Sequence, residues 1–160
     1  MVRILCLFVL FAQLAFAAGT VTVTRSDLKH SPAGPESPFH GSKYVIDWVG
    51  DASDGSVPAT DITLEGYIVK VITNPGSPSP TDNYDLALAD PEDAALDALG
   101  GALANRHTTT TQQVYPLIAG APGTVTVVVP YLNGSYAFTL TNNSVNSAKG
   151  RVILYVAYPR

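Results

Sequence analysis

The chain has one cysteine, few charged side chains and few basic residues. Cys6 is that cysteine, so disulfide frameworks and thiolate chemistry are excluded for everything that follows it. Charged residues make up 14% of the 160, with 9 Lys and Arg against 13 Asp and Glu. Because nucleic acid and anionic membrane surfaces are bound by clustered basic side chains, this balance excludes both as expected partners.

The only long apolar run lies at the N-terminus. Arg3 precedes an apolar stretch from Ile4 to Phe16, and Ala15-Phe16-Ala17 has the small-x-small pattern that signal peptidase accepts. The run is shorter than the about 20 residues that a permanent membrane helix needs. We therefore predict that residues 1–17 are a signal peptide, that the protein is exported, and that the mature chain has no stable membrane span. The alternative is a retained hydrophobic arm that packs against a neighbouring subunit.

Cleavage at that site would leave residues 18–160 as a single domain. A domain of this length buries a sizeable core without disulfides. Losing Arg3 leaves 8 Lys and Arg against 13 Asp and Glu, so the net charge of the domain is near −5.

Most of this domain alternates apolar and polar residues with a period of two, which is typical of half-buried β-strands. Turn residues that tolerate positive φ separate several of the alternating stretches, as at Asp54-Gly55, Asn133-Gly134 and Asn142-Asn143. We predict an all-β, antiparallel, jelly-roll-like β-sandwich of about eight strands, with Leu64–Thr73 as a central strand. The predicted strands are Val21–Val23, Tyr44–Trp48, Leu64–Thr73, Tyr84–Leu88, Val114–Ile118, Val125–Val129, Tyr136–Leu140 and Val152–Tyr158.

One segment between the predicted strands has the signals of a short helix. Asp90 is suited to the N-cap, Pro91 to the first helical position, and Gly100 or Gly101 to the C-terminus. We predict a helix near Asp93–Leu99, and its leucines, Leu96 and Leu99, are expected to seal one end of the sandwich.

The segment from His30 to His40 contains three prolines and is predicted to be a loop. It separates the Val21–Val23 strand from the main series of strands. That strand is therefore expected to pair either within its own domain or with a neighbouring molecule.

No residue pattern with a catalytic or metal-binding mechanism is present. Six acidic residues crowd one region, but they lack the spacing of a calcium loop and are best suited to cap turns. The three histidines share no metal-ligand spacing, and no Gly-x-Ser-x-Gly elbow occurs. We predict that the protein is not an enzyme and has no catalytic, cofactor-binding or metal-binding residues. The acidic residues are Asp82, Asp85, Asp90, Glu92, Asp93 and Asp97, and the histidines are His30, His40 and His107.

Two further features leave a binding role open. The polar stretch Asn105–Gln113 fits either a loop presented to a sugar or partner, or an edge strand with a solvated face, and we favour the edge strand. A row of exposed tyrosines would stack on sugar rings, although most tyrosines in such a fold belong to the core or to cross-strand pairs. The candidates for such a row are Tyr115, Tyr131, Tyr136, Tyr155 and Tyr158.

Several runs of strand and turn residues form a recognisable pattern. They are Glu65–Thr73 before a Pro-Gly turn, Pro80–Asp90, Leu99–Arg106 with a Thr-rich stretch that ends at Gln113-Val114, Phe138–Asn143, and Ala148–Tyr155. Over roughly positions 60–157, the chain resembles small β-sandwich proteins of unassigned role encoded among the structural genes of tailed phages and prophages. The resemblance implies a virion or surface-assembly component without enzymatic activity, and it carries over no binding residues.

These observations predict a non-enzymatic structural module that forms a homo-oligomer or a larger protein lattice, as a virion component or on a surface. The alternative is a secreted domain that binds carbohydrate or protein. The first is expected to be oligomeric, and the second to be monomeric with an exposed aromatic row.

Overall fold

A computed structural model describes residues 18–28, 40–119 and 127–158 of the chain. The predicted signal peptide, most of the proline-rich segment and the start of the Val125–Val129 strand lie outside the described residues. Every strand pairing in the described part is antiparallel. The strands are β1 (Thr20–Leu28), β2 (His40–Val49), β3 (Thr60–Pro75), β4 (Asp85–Ala89), β5 (Gln112–Val114), β6 (Ile118–Ala119), β7 (Val127–Val128), β8 (Tyr131–Thr141) and β9 (Lys149–Tyr158).

Seven of these strands form one sheet. Their order is β1-β2-β9-β3-β8-β4, and β5 pairs with the second half of β3. The remaining two, β6 and β7, form a separate two-stranded sheet. The long strand β3 pairs with β8 along its first half and with β9 along its second half, which confirms the prediction that Leu64–Thr73 is central.

The period-two pattern determines which face of each strand is buried. In β2, the side chains of Tyr44, Ile46 and Trp48 are buried and their neighbours are half-buried. A β-bulge preserves this pattern in β3, where Val69 has no partner in β9 between the paired residues Ile68 and Lys70. Because the extra residue shifts the alternation by one, Ile68 and Val71 both face the core.

The sheet curls over, so its two ends meet across a single core. Trp48 in β2 and Tyr84 just before β4 have ring centroids 6.0 Å apart. Four strand spacings separate β2 from β4 in the sheet order, which is about 19 Å in a flat sheet. The buried side chains of both ends belong to one hydrophobic cluster. The fold is therefore all-β, antiparallel and sandwich-like, as predicted.

The predicted helix is wrong, because the segment after β4 forms successive turns instead. Among the described residues, none is helical. Short acidic side chains compete with helical backbone bonds by accepting from the N–H two residues ahead. At 2.9, 3.0 and 3.1 Å respectively, Asp90 accepts from Glu92, Asp93 from Ala95 and Asp97 from Leu99.

Two smaller expectations are also corrected. Leu99 is buried as expected, but Leu96 is 58% exposed and seals nothing. Asn133-Gly134 is not a turn: Gly134 lies inside β8 opposite Leu64, with a φ of 144° that favours glycine. Asp54-Gly55 and Asn142-Asn143 do lie in turns, where Gly55 and Asn142 adopt positive φ.

Candidate functional site

The outer face of the sheet carries a row of apolar residues across five strands. The pairings run from Leu28 to Gly41, Gly41 to Ala157, Ala157 to Tyr67 and Tyr67 to Tyr131. Directly opposite residues in an antiparallel pair share a face. The three large members, Leu28, Tyr67 and Tyr131, are 44%, 40% and 46% exposed. With Val69, which is 41% exposed, they form what we call the outer patch.

A groove of about 370 Å³ lies in the middle of this row. The small residues Gly41 and Ala157 form its floor, and the side chains that line it include Leu28, Val69 and Tyr155. Residue 41 must be glycine at this point, since a Cβ there would lie 2.5 Å from the carbonyl oxygen of Val156. The groove accordingly offers an apolar concavity on an exposed sheet face.

Two contacts hold the aromatic side chains of the outer face in place. The rings of Tyr67 and Tyr131 meet edge to face with centroids 5.0 Å apart. The ammonium group of Lys70 lies 4.1 Å from the centre of the Tyr155 ring, which is a favourable cation–π distance. Tyr67 and Tyr131 therefore present a fixed aromatic surface to solvent, whereas Lys70 covers Tyr155.

The opposite face has a polar cluster at the same end of β1. The hydroxyl of Ser42 is fully buried, donates to Asp27 at 2.8 Å and shares a hydrogen bond with the Tyr158 hydroxyl at 2.7 Å. Arg25 closes the cluster, donating to the Tyr158 hydroxyl at 2.9 Å and lying 5.7 Å from the centre of the Tyr44 ring. Because Ser42 exposes no surface, its hydroxyl serves as a structural hydrogen-bonding group and not as an accessible nucleophile.

Burial perturbs two tyrosines of the core. It is the main cause that raises the pKa of Tyr44, with the nearby Tyr158 adding to it and Arg25 opposing it. Burial also raises the pKa of Tyr84 to about 12. Both hydroxyls are therefore neutral at physiological pH.

The two strands at the ends of the sheet order, β1 and β4, differ in how the backbone groups of their outer edges are satisfied. The turns after β4 cover its free edge: the backbone N–H of Leu86 donates to Leu103 at 3.1 Å, and that of Ala98 to Leu88 at 2.8 Å. Asp97 completes this seal by accepting from the backbone N–H of Leu88 at 3.0 Å. The β4 edge is thus closed to further strands.

The β1 edge is open across the part of the chain that the structure describes. β1 is nine residues long, pairs with β2 in an uninterrupted register and has no described strand on its other side. It contains no proline, glycine or lysine, and it has no bulge. Proline, lysine and bulges are among the devices that protect edge strands against pairing, and the charged side chains of Arg25 and Asp27 are the one such device that β1 has.

The predicted acidic cluster proves to be a set of turn-forming side chains. Asp82 accepts from the backbone N–H of Thr108 at 3.1 Å, and Asp85 accepts from that of Asn105 at 2.7 Å. Asp90, Asp93 and Asp97 bond to the turns described above. Across 18–28, 40–119 and 127–158, no group of three or more His, Cys, Asp or Glu side chains is placed to hold a metal ion.

The other candidate residues lie in different parts of the structure. His40 begins β2 and lines the apolar groove, His107 accepts from the backbone N–H groups of Thr109 and Thr110, and His30 lies outside the described residues. In the polar stretch Asn105–Gln113, the last two residues belong to the edge strand β5, Arg106 forms an isolated antiparallel bridge with Tyr84, and the rest form bends or irregular structure.

The tyrosine candidates lie in four different surroundings. Tyr136 is buried, Tyr158 belongs to the cluster around Ser42, and Tyr155 lies beneath Lys70. Tyr131 and Tyr115 are exposed. Sequence reasoning missed Tyr67, which lies in a stretch that looked apolar on both faces; the exposed Glu65 two positions earlier was the signal that this face is open.

The class that these observations define is an all-β, antiparallel, sandwich-like domain in which, among the described residues, the outer edge of β4 is covered and that of β1 is open. Comparisons with protein-family models, with curated proteins and with solved structures each found no match. In the described part of the chain, there is no helix with the length and apolar character needed to cross a membrane.

Proposed function

We propose that this chain is a non-enzymatic assembly module, which associates with copies of itself into an oligomer or lattice as a virion or surface component. The observation that carries the proposal is the outer patch. Leu28, Tyr67, Val69 and Tyr131 are all at least 40% exposed and lie together on one face beside an apolar groove. Contiguous exposed apolar surface of this kind marks interaction sites.

The chemistry of the patch favours a protein partner. Tyrosine side chains with few rotatable bonds are enriched at protein interfaces, and the Tyr67–Tyr131 contact holds both rings in place before association. The groove between Leu28 and Val69 is able to receive an apolar side chain from a facing molecule. The low charge of the whole chain, 14% of residues, lowers the electrostatic barrier to packing copies together.

Sedimentation of the full chain tests this proposal. We expect the wild-type protein to form assemblies larger than 16.8 kDa as its concentration rises. Replacement of Tyr131 by serine removes an exposed ring from the patch and is expected to weaken association about tenfold or more, as for an interface hot spot. The matched control is Asn133→Ser, two residues away on the same exposed face of β8. Equal association of the two variants would contradict the proposal.

The second candidate is a carbohydrate-binding domain, which the exposed Tyr67–Tyr131 pair favours because tyrosine faces stack on sugar rings. A glycan array with clear hits that are lost in Tyr67→Ser, together with a monomeric wild-type protein, would replace assembly by carbohydrate binding as the function.

A further inference from the structure

We infer that two copies of this chain pair antiparallel along β1, about a two-fold axis through Ser26, so that their sheets join into one. This inference rests on the proposed function and adds to it a contact between copies through the sheet edge, separate from the contact through the outer patch. The occupant of the open edge is a second copy of the same strand. Main-chain hydrogen bonds supply the attraction, as in strand addition to any free sheet edge.

The contrast between the two edges selects β1 as the pairing strand. At the β4 edge, the backbone groups of Leu86 and Leu88 already bond to the turns that follow, and Asp97 adds a side-chain acceptor. At the β1 edge, the side chains of Thr20, Thr22, Thr24 and Ser26 are uncharged and exposed, and they favour an extended strand. Nothing in the described residues occupies the outer side of that strand.

The charges of β1 select the register. Arg25 and Asp27 are its only charged residues, and their side chains are 54% and 57% exposed on the same face. An axis through residue 25 places Arg25 opposite its own copy, and an axis through residue 27 does the same for Asp27. Like charges directly opposite one another destabilise a strand pair.

An axis through Ser26 removes this repulsion. Each Arg25 then lies opposite Asp27 of the other copy, so that the strand is complementary to itself. An axis through Thr24 pairs more of the described strand but leaves both charged residues opposite valines, Val23 and Val21. In the Ser26 register, Leu28 at the end of the outer row lies opposite Thr24 of the other copy.

The decisive experiment introduces single cysteines into the full chain, with Cys6 replaced by serine. At the axis, the two copies of residue 26 have Cα atoms about 4.5–5.5 Å apart, which suits a disulfide. Ser26→Cys is therefore expected to give a covalent dimer on mild oxidation. The matched control is Thr22→Cys, an exposed residue on the same face whose two copies lie about 27 Å apart in this register.

A charge complementation experiment separates pairing between copies from effects within one copy. Arg25→Asp and Asp27→Arg each place like charges across the axis, so each variant alone is expected to self-associate about tenfold more weakly. An equimolar mixture of the two variants places opposite charges across the axis at both positions. Mixing is therefore expected to restore association to within about threefold of wild type, which a merely structural defect in each variant would not allow.

The outcomes distinguish the pairing from the proposed function. Cross-linking through residue 26 but not residue 22, with restored association in the mixture, supports the β1 pairing. Assemblies that form without cross-linking through residue 26 and without restoration by mixing overturn the β1 pairing and leave the assembly function standing. A chain that stays monomeric at every concentration overturns both.

Discussion

Replacement of Gly150 by alanine tests the packing at the centre of the core. Gly150 lies directly opposite Trp48 in the β2–β9 pair, on the buried face. A Cβ at residue 150 would lie 2.6 Å from the Cε2 atom of the Trp48 ring and would also meet its Cζ2 atom. Carbon atoms pack best about 3.5–4.0 Å apart, so either the ring or the strand must shift by about 1 Å.

Neither of these can shift freely. The Trp48 side chain is 1% exposed and contacts Tyr84, while β9 is held between β2 and β3. Overpacking a core typically lowers the free energy of unfolding by about 1–3 kcal/mol. Because neither side can shift freely, we expect Gly150→Ala to lower it by about 2–3 kcal/mol. The corresponding fall in melting temperature is roughly 5–10 °C for a domain of this size.

The assay is urea unfolding followed by far-ultraviolet circular dichroism, in a cycle with Trp48→Phe. Phenylalanine lacks the ring atoms that the new Cβ would meet, so the cost of Gly150→Ala is expected to fall below about 1 kcal/mol in the Trp48→Phe background. Circular dichroism is needed because Trp48 is the only tryptophan of the chain. An equal cost of Gly150→Ala in both backgrounds would refute the packing argument.

Two further predictions concern the sealed edge and the buried tyrosine. Asp97→Ala removes the side-chain acceptor of the backbone N–H groups of Leu88, Leu99 and Gly101, and it is expected to lower the free energy of unfolding in urea by about 2–4 kcal/mol. The control Asp93→Ala frees one exposed N–H and is expected to lower it by less than about 1 kcal/mol. Because the pKa of Tyr84 is raised to about 12, above its unfolded value near 10, its contribution to stability is complete below pH 10 and is lost between pH 10 and 12. Wild type should therefore lose roughly 2–3 kcal/mol more than Tyr84→Phe over that interval, and an identical loss in both proteins would contradict the assignment.

The sequence predicted those features of the fold that depend on alternation. Tyr44, Ile46 and Trp48 are buried as their spacing indicated, because a strand places every second side chain on one face. The bulge at Val69 could not be predicted from the sequence, because a strand that is apolar on both faces does not show where its register shifts. The helix prediction failed because capping aspartates also form isolated turns, and only the nearby β4 edge decides between the two.

The candidate site was less predictable than the fold. Tyr131 was among the predicted tyrosines, but its partner Tyr67 was not, because the two lie on strands that are far apart in sequence and meet only through the β3–β8 register. The sequence left open whether the Val21–Val23 strand pairs within its own domain or with a neighbouring molecule, and the structure pairs it with β2 of the same chain, which leaves the other edge of β1 open among the described residues. Whether an edge of β1 is open depends on the order of the strands in the sheet, and the period-two pattern of the sequence does not give that order.

Hydrogen exchange at the two sheet edges, measured at low and high protein concentration, tests the central claim most directly. The amides of Leu86 and Leu88 in β4 are expected to be protected equally at both concentrations, since their partners lie within the same chain. Protection along β1 is expected to rise with concentration as copies pair through that edge. Exchange along β1 that is independent of concentration, in a protein that is monomeric throughout, would contradict the account.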